Sequence, residues 1–215
     1  MAALLFDLDG TIADSAPGIL SCLRATLEEF GAAPSAEADL TWVIGPPLHA
    51  VAERLLGGPE RVDACVAAYR RRYAEQGILA AEPFPGVVDE LRRLKAAGHA
   101  LFVCTSKITP FAEQIVGRFG LAELFDGVYG AAPQAAADDK VRLAGRIVSE
   151  RRLDAAETCL IGDRREDVKA GRANGLRSIG VLWGYGSRDE LAEAGADRLC
   201  AAPVELSATL SALLA

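Results

Sequence analysis

The sequence predicts an α/β fold in which helices cover both faces of a parallel sheet and an all-helical segment is inserted near the start. Strand-like apolar runs alternate with helical patterns from residue 87 onward, and one further strand-like run occupies residues 3–6. Between them, residues 16–80 carry helical patterns and no convincing strand. We therefore expect a core of residues 1–15 and 82–215 and an inserted helical domain of residues 16–81.

Three helices are predicted in the insertion from their start and stop signals. Ser15 is expected to cap the first helix and Pro17 to lie in its first turn, while Gly57 and Gly77 follow the second and third helices. The segment 82–86, Glu-Pro-Phe-Pro-Gly, is expected to be a hinge back to the core, because Pro and Gly interrupt regular structure. The predicted helices span residues 16–30, 48–56 and 60–76.

After the hinge, helices and strands alternate, as a parallel sheet requires. Short apolar runs predict buried strands, and Gly98 and Gly175 end two of the helices. The predicted helices span residues 87–97, 109–119, 140–152, 163–174, 189–194 and 204–214. The predicted strands span residues 3–6, 99–104, 127–129, 158–161, 178–182 and 197–200.

An acidic pair follows the first strand. Asp7 and Asp9 stand directly behind the apolar run, and Gly10 breaks the strand pattern. Open α/β sheets bind ligands at the carboxyl ends of their strands, and side chains two residues apart on a strand point to the same side. Two carboxylates so placed repel each other unless a cation lies between them. The alternative is an acidic turn with Gly10 at its corner.

Three further segments with reactive or charged side chains lie where strands end or helices begin. Thr105-Ser106-Lys107 follows a buried strand, where hydroxyl and N–H groups are able to hold a phosphate. Lys140 begins a helix, although the helix dipole favours a negative and not a positive charge at that end. Residues 162–167, after another buried strand, contain a second acidic pair, Asp163 and Asp167. Each segment alone also fits a helix cap or a solvated lysine.

Together these groups would face one crevice, because the carboxyl ends of parallel strands share one edge of the sheet. A cluster of carboxylates needs a cation, and oxygen ligands without His or Cys select Mg²⁺. An acidic cluster with Mg²⁺, one Lys and one Thr suits phosphoryl transfer. The expected partner is therefore a small phosphorylated metabolite.

In these residues the chain resembles the haloacid dehalogenase-like hydrolase superfamily, and within it the phosphoglycolate-phosphatase-like branch. Residues 7–11, Asp-Leu-Asp-Gly-Thr, match the first motif of that superfamily, Thr105 the second, Lys140 the third and residues 162–167 the fourth. The resemblance extends along almost the whole chain. It implies a Rossmann-like core with a helical, C1-type cap at residues 16–81.

The resemblance also implies a mechanism and a set of site residues. Asp7 would attack phosphorus and form an aspartyl-phosphate, while Asp9 would protonate the leaving alcohol and then activate water. Asp167 would either bind the metal or orient Lys140, and Gly45 lies in a Gly-Pro-Pro loop that resembles the cap loop facing the active site. The implied catalytic residues are Asp7, Asp9, Thr105 and Lys140. The implied substrate-binding residues are Thr11, Gly45, Thr105, Ser106 and Lys140. The implied Mg²⁺ ligands are Asp7, Asp9 (through its carbonyl), Asp163 and Asp167.

Composition narrows the class of partner. The formal charge of −7 argues against nucleic acid as the main partner. No apolar run approaches the length that spans a bilayer, and no signal-like segment precedes the first strand, so we expect a cytoplasmic protein without a membrane partner. The five cysteines match no zinc-binding pattern. A monomer or a homodimer is expected.

Four functions fit this resemblance to different degrees. The leading prediction is a Mg²⁺-dependent phosphatase acting on 2-phosphoglycolate or a nucleoside 5′-monophosphate. A phosphomutase of the β-phosphoglucomutase type would return the phosphoryl group to a sugar instead of water. A dehalogenase would replace the second acid of the first motif, yet Asp9 is present, and a regulatory module with a dead site would lose Asp7 or Lys140, yet both are present.

Overall fold

The computed structural model describes residues 1–132 and 139–214. Its strands are β1 Ala3–Phe6, β2 Ala13–Asp14, β3 Glu82–Pro83, β4 Ala100–Ile108, β5 Gly127–Ala131, β6 Thr158–Gly162, β7 Arg177–Val181 and β8 Arg198–Cys200. Its α-helices are α1 Ala16–Glu29, α2 Leu48–Leu56, α3 Val62–Arg72, α4 Val87–Ala96, α5 Thr109–Arg118, α6 Lys140–Arg151, α7 Arg165–Ala173, α8 Arg188–Ala194 and α9 Leu206–Leu214.

Six of the strands form one sheet, in the order β5-β4-β1-β6-β7-β8, and every neighbouring pair is parallel. Strand β1 is central: Ala3 pairs with Ala100 of β4 on one side and with Thr158 of β6 on the other. The carboxyl ends of β1, β4 and β6 therefore lie side by side. This sheet confirms the predicted α/β fold.

Helices pack on both faces of this sheet. Leu4 and Phe6 of β1 belong to one hydrophobic cluster, with apolar side chains of α4, α5 and α9. Leu5 belongs to a second cluster, with apolar side chains of α6 and α7. Because successive side chains of a strand point to opposite faces, β1 is buried on both sides, which explains its unbroken apolar sequence.

The three helices of the insertion lie between two very short strands. Ala13–Asp14 pairs antiparallel with Glu82–Pro83, so the chain leaves the core and returns to it at the same place. The sequence analysis predicted a hinge at residues 82–86 but not this pairing. Two-residue strands are too short to produce an alternating pattern.

Several predicted boundaries were wrong. Strand β4 does not end at Cys104: it continues to Ile108, which pairs with Ala131 of β5 after a shift in register. Helix α3 ends at Arg72 and continues as a π-helical turn, Tyr73–Gly77. A Cβ on Gly77 would lie 2.2 Å from the Tyr73 ring, so the absence of a side chain at Gly77 lets the ring pack against this turn.

No helix among residues 1–132 and 139–214 is long and apolar enough to cross a membrane.

Candidate active site

Three buried carboxylates meet at the carboxyl edge of the sheet. Asp7 directly follows β1, Asp163 directly follows β6, and Asp167 lies in the first turn of α7. Each offers a carboxylate oxygen, and these oxygens lie within 4.8 Å of one another. Buried charges are costly unless they are compensated, and an oxygen-only donor set is what Mg²⁺ prefers. The residues present therefore fit a Mg²⁺ ion.

Lys140 pairs with two of these carboxylates. Its Nζ lies 2.7 Å from Asp7 Oδ2 and 2.6 Å from Asp167 Oδ1, and all three side chains are almost fully buried. Burial by itself lowers the pKa of Lys140, but the charges of Asp167 and Asp7 outweigh that effect and raise the pKa above its ordinary value. The lysine is therefore charged. One ammonium against three carboxylates leaves an excess of negative charge that a divalent cation would offset.

Asp163 is the carboxylate whose charge is least compensated by the protein. Burial first, and then repulsion by Asp167 and Asp7, raises the pKa of Asp163 to about 8. Its oxygens accept hydrogen bonds from Thr11 Oγ1 at 3.3 Å and from the Tyr185 N–H at 2.8 Å. Burial likewise raises the pKa of Asp167 to about 6, although Lys140 lowers it in part. A cation between these groups would relieve both shifts.

Glycines leave the space that Asp163 occupies. A Cβ on Gly10, where φ is +86°, would lie 2.2 Å from Asp163 Oδ2. A Cβ on Gly184 would lie 2.4 Å from the Cβ of Asp163, and one on Gly186 would lie 1.9 Å from its carbonyl oxygen. These distances are far below van der Waals contact. The glycines therefore leave room for this carboxylate, and a side chain at any of them would displace it or its backbone.

Asp9 has a different environment, at the mouth of the site. Its Oδ1 accepts a short hydrogen bond from Ser15 Oγ, and its Oδ2 lies 3.1 Å from Lys107 Nζ. Ser15 occupies the predicted N-cap position of α1, but its side chain makes no capping hydrogen bond. The hydroxyl binds Asp9 instead. Lys107 also donates to the Tyr73 hydroxyl at 2.9 Å, which connects Asp9 to the insertion.

A cleft between the core and the insertion opens onto these residues. It encloses about 890 Å³, part of it open to solvent. The predicted site residues that line it are Asp7, Asp9, Gly45, Thr105 and Ser106. Lys140, Asp163 and Asp167 are not among the residues that line the cleft. They cluster behind Asp7, which lines it, through the ion pair of Lys140 and the acidic triad. Thr11 does not appear among the described residues that line the cleft, and it is buried against Asp163. Its contact with substrate stays a prediction.

Four hydrogen bonds identify Tyr185 as a site residue that the sequence did not predict. The Tyr185 N–H binds Asp163, and the Tyr185 hydroxyl accepts the N–H groups of Ser15 and Ala16, each at 2.9 Å. The same hydroxyl donates to Asp14 Oδ1 at 2.9 Å. Tyr185 thus connects Asp163, through its backbone N–H, with the start of the insertion, through its hydroxyl. The available signal was the pair of glycines on either side of Tyr185, directly after β7.

Arg164 connects the fourth motif with the insertion. Its guanidinium donates to the Ile44 carbonyl oxygen and, through Nε, to Glu190 Oε1 at 2.9 Å. Gly45 has φ of +111°, and a Cβ there would lie 2.8 Å from Arg164 Cγ. The loop that contains Gly45 is therefore fixed above the cleft by the residue that follows Asp163.

Comparison with known proteins agrees with this arrangement. Residues 4–181 match the family model described as haloacid dehalogenase-like hydrolase. A predicted phosphatase from Clostridium acetobutylicum has a crystal structure that superposes with a TM-score of 0.94 at 31% identity, covering 98% of each chain.

Curated relatives carry several activities. Tyrosine-protein kinase PtkA of Mycobacterium tuberculosis is 36% identical over 86% of this chain. The chain spans 64% of the length of that relative, which is less than two thirds. A 5′-nucleotidase of Pseudomonas aeruginosa is 34% identical, covering 87% of this chain and 86% of the relative. A phosphoglycolate phosphatase of Caulobacter vibrioides is 31% identical, and the match covers 91% of this chain and 85% of the relative. By its family model, its relatives and its fold, the chain belongs to the haloacid dehalogenase-like hydrolase family.

Proposed function

We propose that the protein is a Mg²⁺-dependent phosphatase that hydrolyses a small phosphomonoester, either phosphoglycolate-like or a nucleoside 5′-monophosphate, through an aspartyl-phosphate on Asp7. The observation that supports this most is the position of Asp7. Its carboxylate touches Lys140 and belongs to the acidic triad, and it also lines the cleft together with Asp9. A nucleophile and an acid–base group thus face the same space.

Asp7 is held for attack by two donors. Its Oδ1 accepts the N–H of Leu8 at 2.7 Å, and its Oδ2 pairs with Lys140. A carboxylate oxygen of Asp7 would form a bond to phosphorus as the bond from phosphorus to the leaving-group oxygen breaks. Lys140 would offset the negative charge of the transferring group. The fixed geometry leaves little reorientation to be done during the reaction.

Asp9 would act as the general acid in the first half of the reaction and as the general base in the second. It would first donate a proton to the leaving oxygen, which departs as an alcohol. It would then accept a proton from the water that attacks phosphorus, which breaks the bond to Asp7 and releases inorganic phosphate. Asp9 ends protonated, as it began. Ser15 and Lys107 hold its two oxygens in place.

The phosphoryl oxygens would be bound on the β4 side of the cleft. Thr105 and Ser106 line this wall, and Thr105 Oγ1 is fixed by the Lys107 N–H at 3.3 Å. Carboxylate oxygens of Asp7 and Asp163 and the Asp9 carbonyl would hold Mg²⁺, while Asp167 would either bind the ion or orient Lys140. The ion would supply positive charge to neutralise the phosphoryl oxygens. Residues 16–81 would act as a cap that encloses the leaving group.

The resemblance to PtkA supports a second candidate, transfer of a phosphoryl group to a protein tyrosine. The same nucleophile would serve, with a tyrosine hydroxyl in place of water as the acceptor. A phosphomutase would instead use a sugar hydroxyl as the acceptor. The three activities thus differ in the acceptor and share Asp7.

A phosphate-release screen tests the proposal. Purified protein is given a panel of phosphomonoesters with Mg²⁺ or with EDTA, alongside the folded Asp7→Asn variant. Mg²⁺-dependent release that the variant lacks supports the phosphatase. Label transfer from ATP to a tyrosine peptide, or conversion of glucose 1-phosphate without phosphate release, would overturn it in favour of a kinase or a mutase.

A further inference from the structure

The insertion presents an almost entirely apolar wall to the cleft. Ten apolar or aromatic side chains of the insertion line it, among them Leu23, Leu48, Tyr69 and Tyr73. In the described part of the insertion, the charged or ionisable nitrogen-bearing side chains that line the cleft are His49 and Arg70. The phosphate-binding wall of β4 is, by contrast, polar. The cleft therefore has one end for a phosphoryl group and one for an apolar group.

Aromatic rings form the part of this wall nearest the reaction centre. The rings of Tyr69 and Tyr73 stack with centroids 5.6 Å apart and an interplanar angle of 18°. Phe111 of α5 lies 5.5 Å from the Tyr73 ring and also lines the cleft. Tyr69 and Tyr73 are buried, and the Tyr73 ring already contacts Tyr69 and Lys107, so the half-buried Phe111 is the ring of the three that a ligand would meet. A planar apolar surface of this kind favours a planar ring as its partner.

The wall begins next to the group that would protonate the leaving oxygen. Lys107 touches Asp9, and the same ammonium donates to the Tyr73 hydroxyl and lies 4.2 Å from the centre of its ring. A leaving group whose oxygen meets Asp9 would therefore extend into the cleft towards the insertion.

We propose that this wall selects phosphomonoesters whose leaving group carries a planar aromatic ring, an assignment that rests on the proposed phosphatase function. A two-carbon leaving group such as glycolate is too small to cover the wall. A bare sugar would place hydroxyl groups against apolar side chains without hydrogen-bond partners, which costs binding energy. A ring covers the wall, and acceptor atoms on its edge would meet Arg70 and His49.

Such a ring has two sources, a nucleobase or an aryl side chain. Two matched ligand pairs separate them. Uridine 5′-monophosphate and ribose 5-phosphate share the sugar phosphate and differ by the base. O-Phosphotyrosine and O-phosphoserine share the amino acid and differ by the aryl ring.

Binding is measured by calorimetry on the Asp7→Asn variant with Mg²⁺ present, so that no ligand is consumed. We expect the ring-bearing member of at least one pair to bind roughly 10- to 100-fold more tightly than its partner, as burial of one stacked ring allows. The pair that shows the preference identifies the source of the ring. Equal affinity within about threefold in both pairs would overturn the proposal.

Two phenylalanines of the same helix region provide a matched test of the wall. Phe111 and Phe119 are both half-buried, but only Phe111 lines the cleft. Phe111→Ala is expected to reduce the ring preference about tenfold, and Phe119→Ala to leave it unchanged. Thermal melts test whether both variants fold. If Phe111→Ala does not fold, Leu48→Ser in the cleft wall is used in its place. An unchanged preference in the folded wall variant would overturn the assignment.

The outcomes also separate this proposal from the phosphatase itself. If the ring preference is found in binding while wild-type protein releases phosphate from no monoester, the hydrolytic function fails and the ring site stands. If phosphate is released but neither ligand pair shows a preference, only the ring site fails.

Discussion

Lys107 Nζ lies 3.1 Å from Asp9 Oδ2, and both side chains are largely buried at the edge of the cleft. The ammonium is shared with Tyr73 of the insertion, which accepts a hydrogen bond from it at 2.9 Å. Lys107 thus connects Asp9, the proposed proton-transfer group, with Tyr73 of the insertion.

Replacement of Lys107 by Met should impair catalysis more than folding. Asp9 would lose the cation that holds it, and we expect kcat to fall roughly 10- to 100-fold, within the range that general acid–base catalysis supplies. Lys95→Met is the matched control, because Lys95 pairs with Asp126 at 2.6 Å on the surface. Steady-state kinetics measure kcat of both variants, and thermal melts measure their stability. Equal kcat in the two variants would refute a role for Lys107 at Asp9.

Replacement of Tyr185 by Phe tests the connection to the insertion. The variant keeps the ring and the N–H that binds Asp163 but leaves the N–H groups of Ser15 and Ala16 without their acceptor. We expect the free energy of unfolding to fall by about 1–3 kcal/mol, measured by urea denaturation. Tyr129→Phe removes only a hydroxyl that accepts from the exposed Arg151, and should cost under about 1 kcal/mol. Equal losses would contradict the prediction.

Replacement of Gly184 by Ala should disturb the metal site. The added Cβ would lie 2.2 Å from the Gly10 carbonyl and 2.4 Å from the Asp163 Cβ, so the carboxylate must move. We expect the variant to lose most of the stabilisation by Mg²⁺ in a thermal melt. Gly117→Ala on α5, where a Cβ meets nothing within 4 Å, is the control and should respond to Mg²⁺ like wild type. Full Mg²⁺ stabilisation of Gly184→Ala would contradict the expected displacement.

The raised pKa of Asp163 predicts how Mg²⁺ binding depends on pH. In the unfolded chain this group has a pKa near its ordinary value of 3.8, whereas in the metal-free folded protein its pKa is about 8. Between these values the folded state holds a proton that the unfolded state has lost. The contribution of Asp163 to stability therefore falls as pH rises from about 4 to about 8.

Mg²⁺ requires the charged carboxylate, so binding must expel this proton at low pH. We expect the increase in Tm that Mg²⁺ causes to be larger at about pH 8 than at about pH 6. Asp163→Asn should show little increase at either pH. A wild-type increase that is independent of pH would contradict the assigned proton.

The sheet and the acidic cluster were predictable because local pattern and topology point to the same place. Apolar runs define the strands, and the carboxyl ends of neighbouring parallel strands necessarily bring the residues behind β1 and β6 together. That is how Asp7 and Asp163 meet although they are 156 positions apart in the numbering. The sequence pattern of the insertion helices was equally clear, apart from the ends of α3.

The partners of Asp9 and Asp163 were not predictable, because they depend on tertiary contacts. Ser15 has the sequence position of a helix cap, and only the course of the chain between β2 and α1 places its hydroxyl on Asp9. Tyr185 reaches its partners from a loop 170 positions away from Ser15. The π-helical turn Tyr73–Gly77 was not predicted either, although the contact between the Tyr73 ring and Gly77 lies within the turn itself.

The most direct test of Asp7 as the nucleophile is to trap the covalent intermediate. Wild-type protein is quenched in acid during turnover of its best phosphomonoester with Mg²⁺, and its peptides are examined by mass spectrometry. We predict phosphate on the peptide that contains Asp7, and neither phosphate nor turnover in Asp7→Asn. Rapid turnover with no phosphate on that peptide, or wild-type activity in the variant, would contradict covalent catalysis at Asp7.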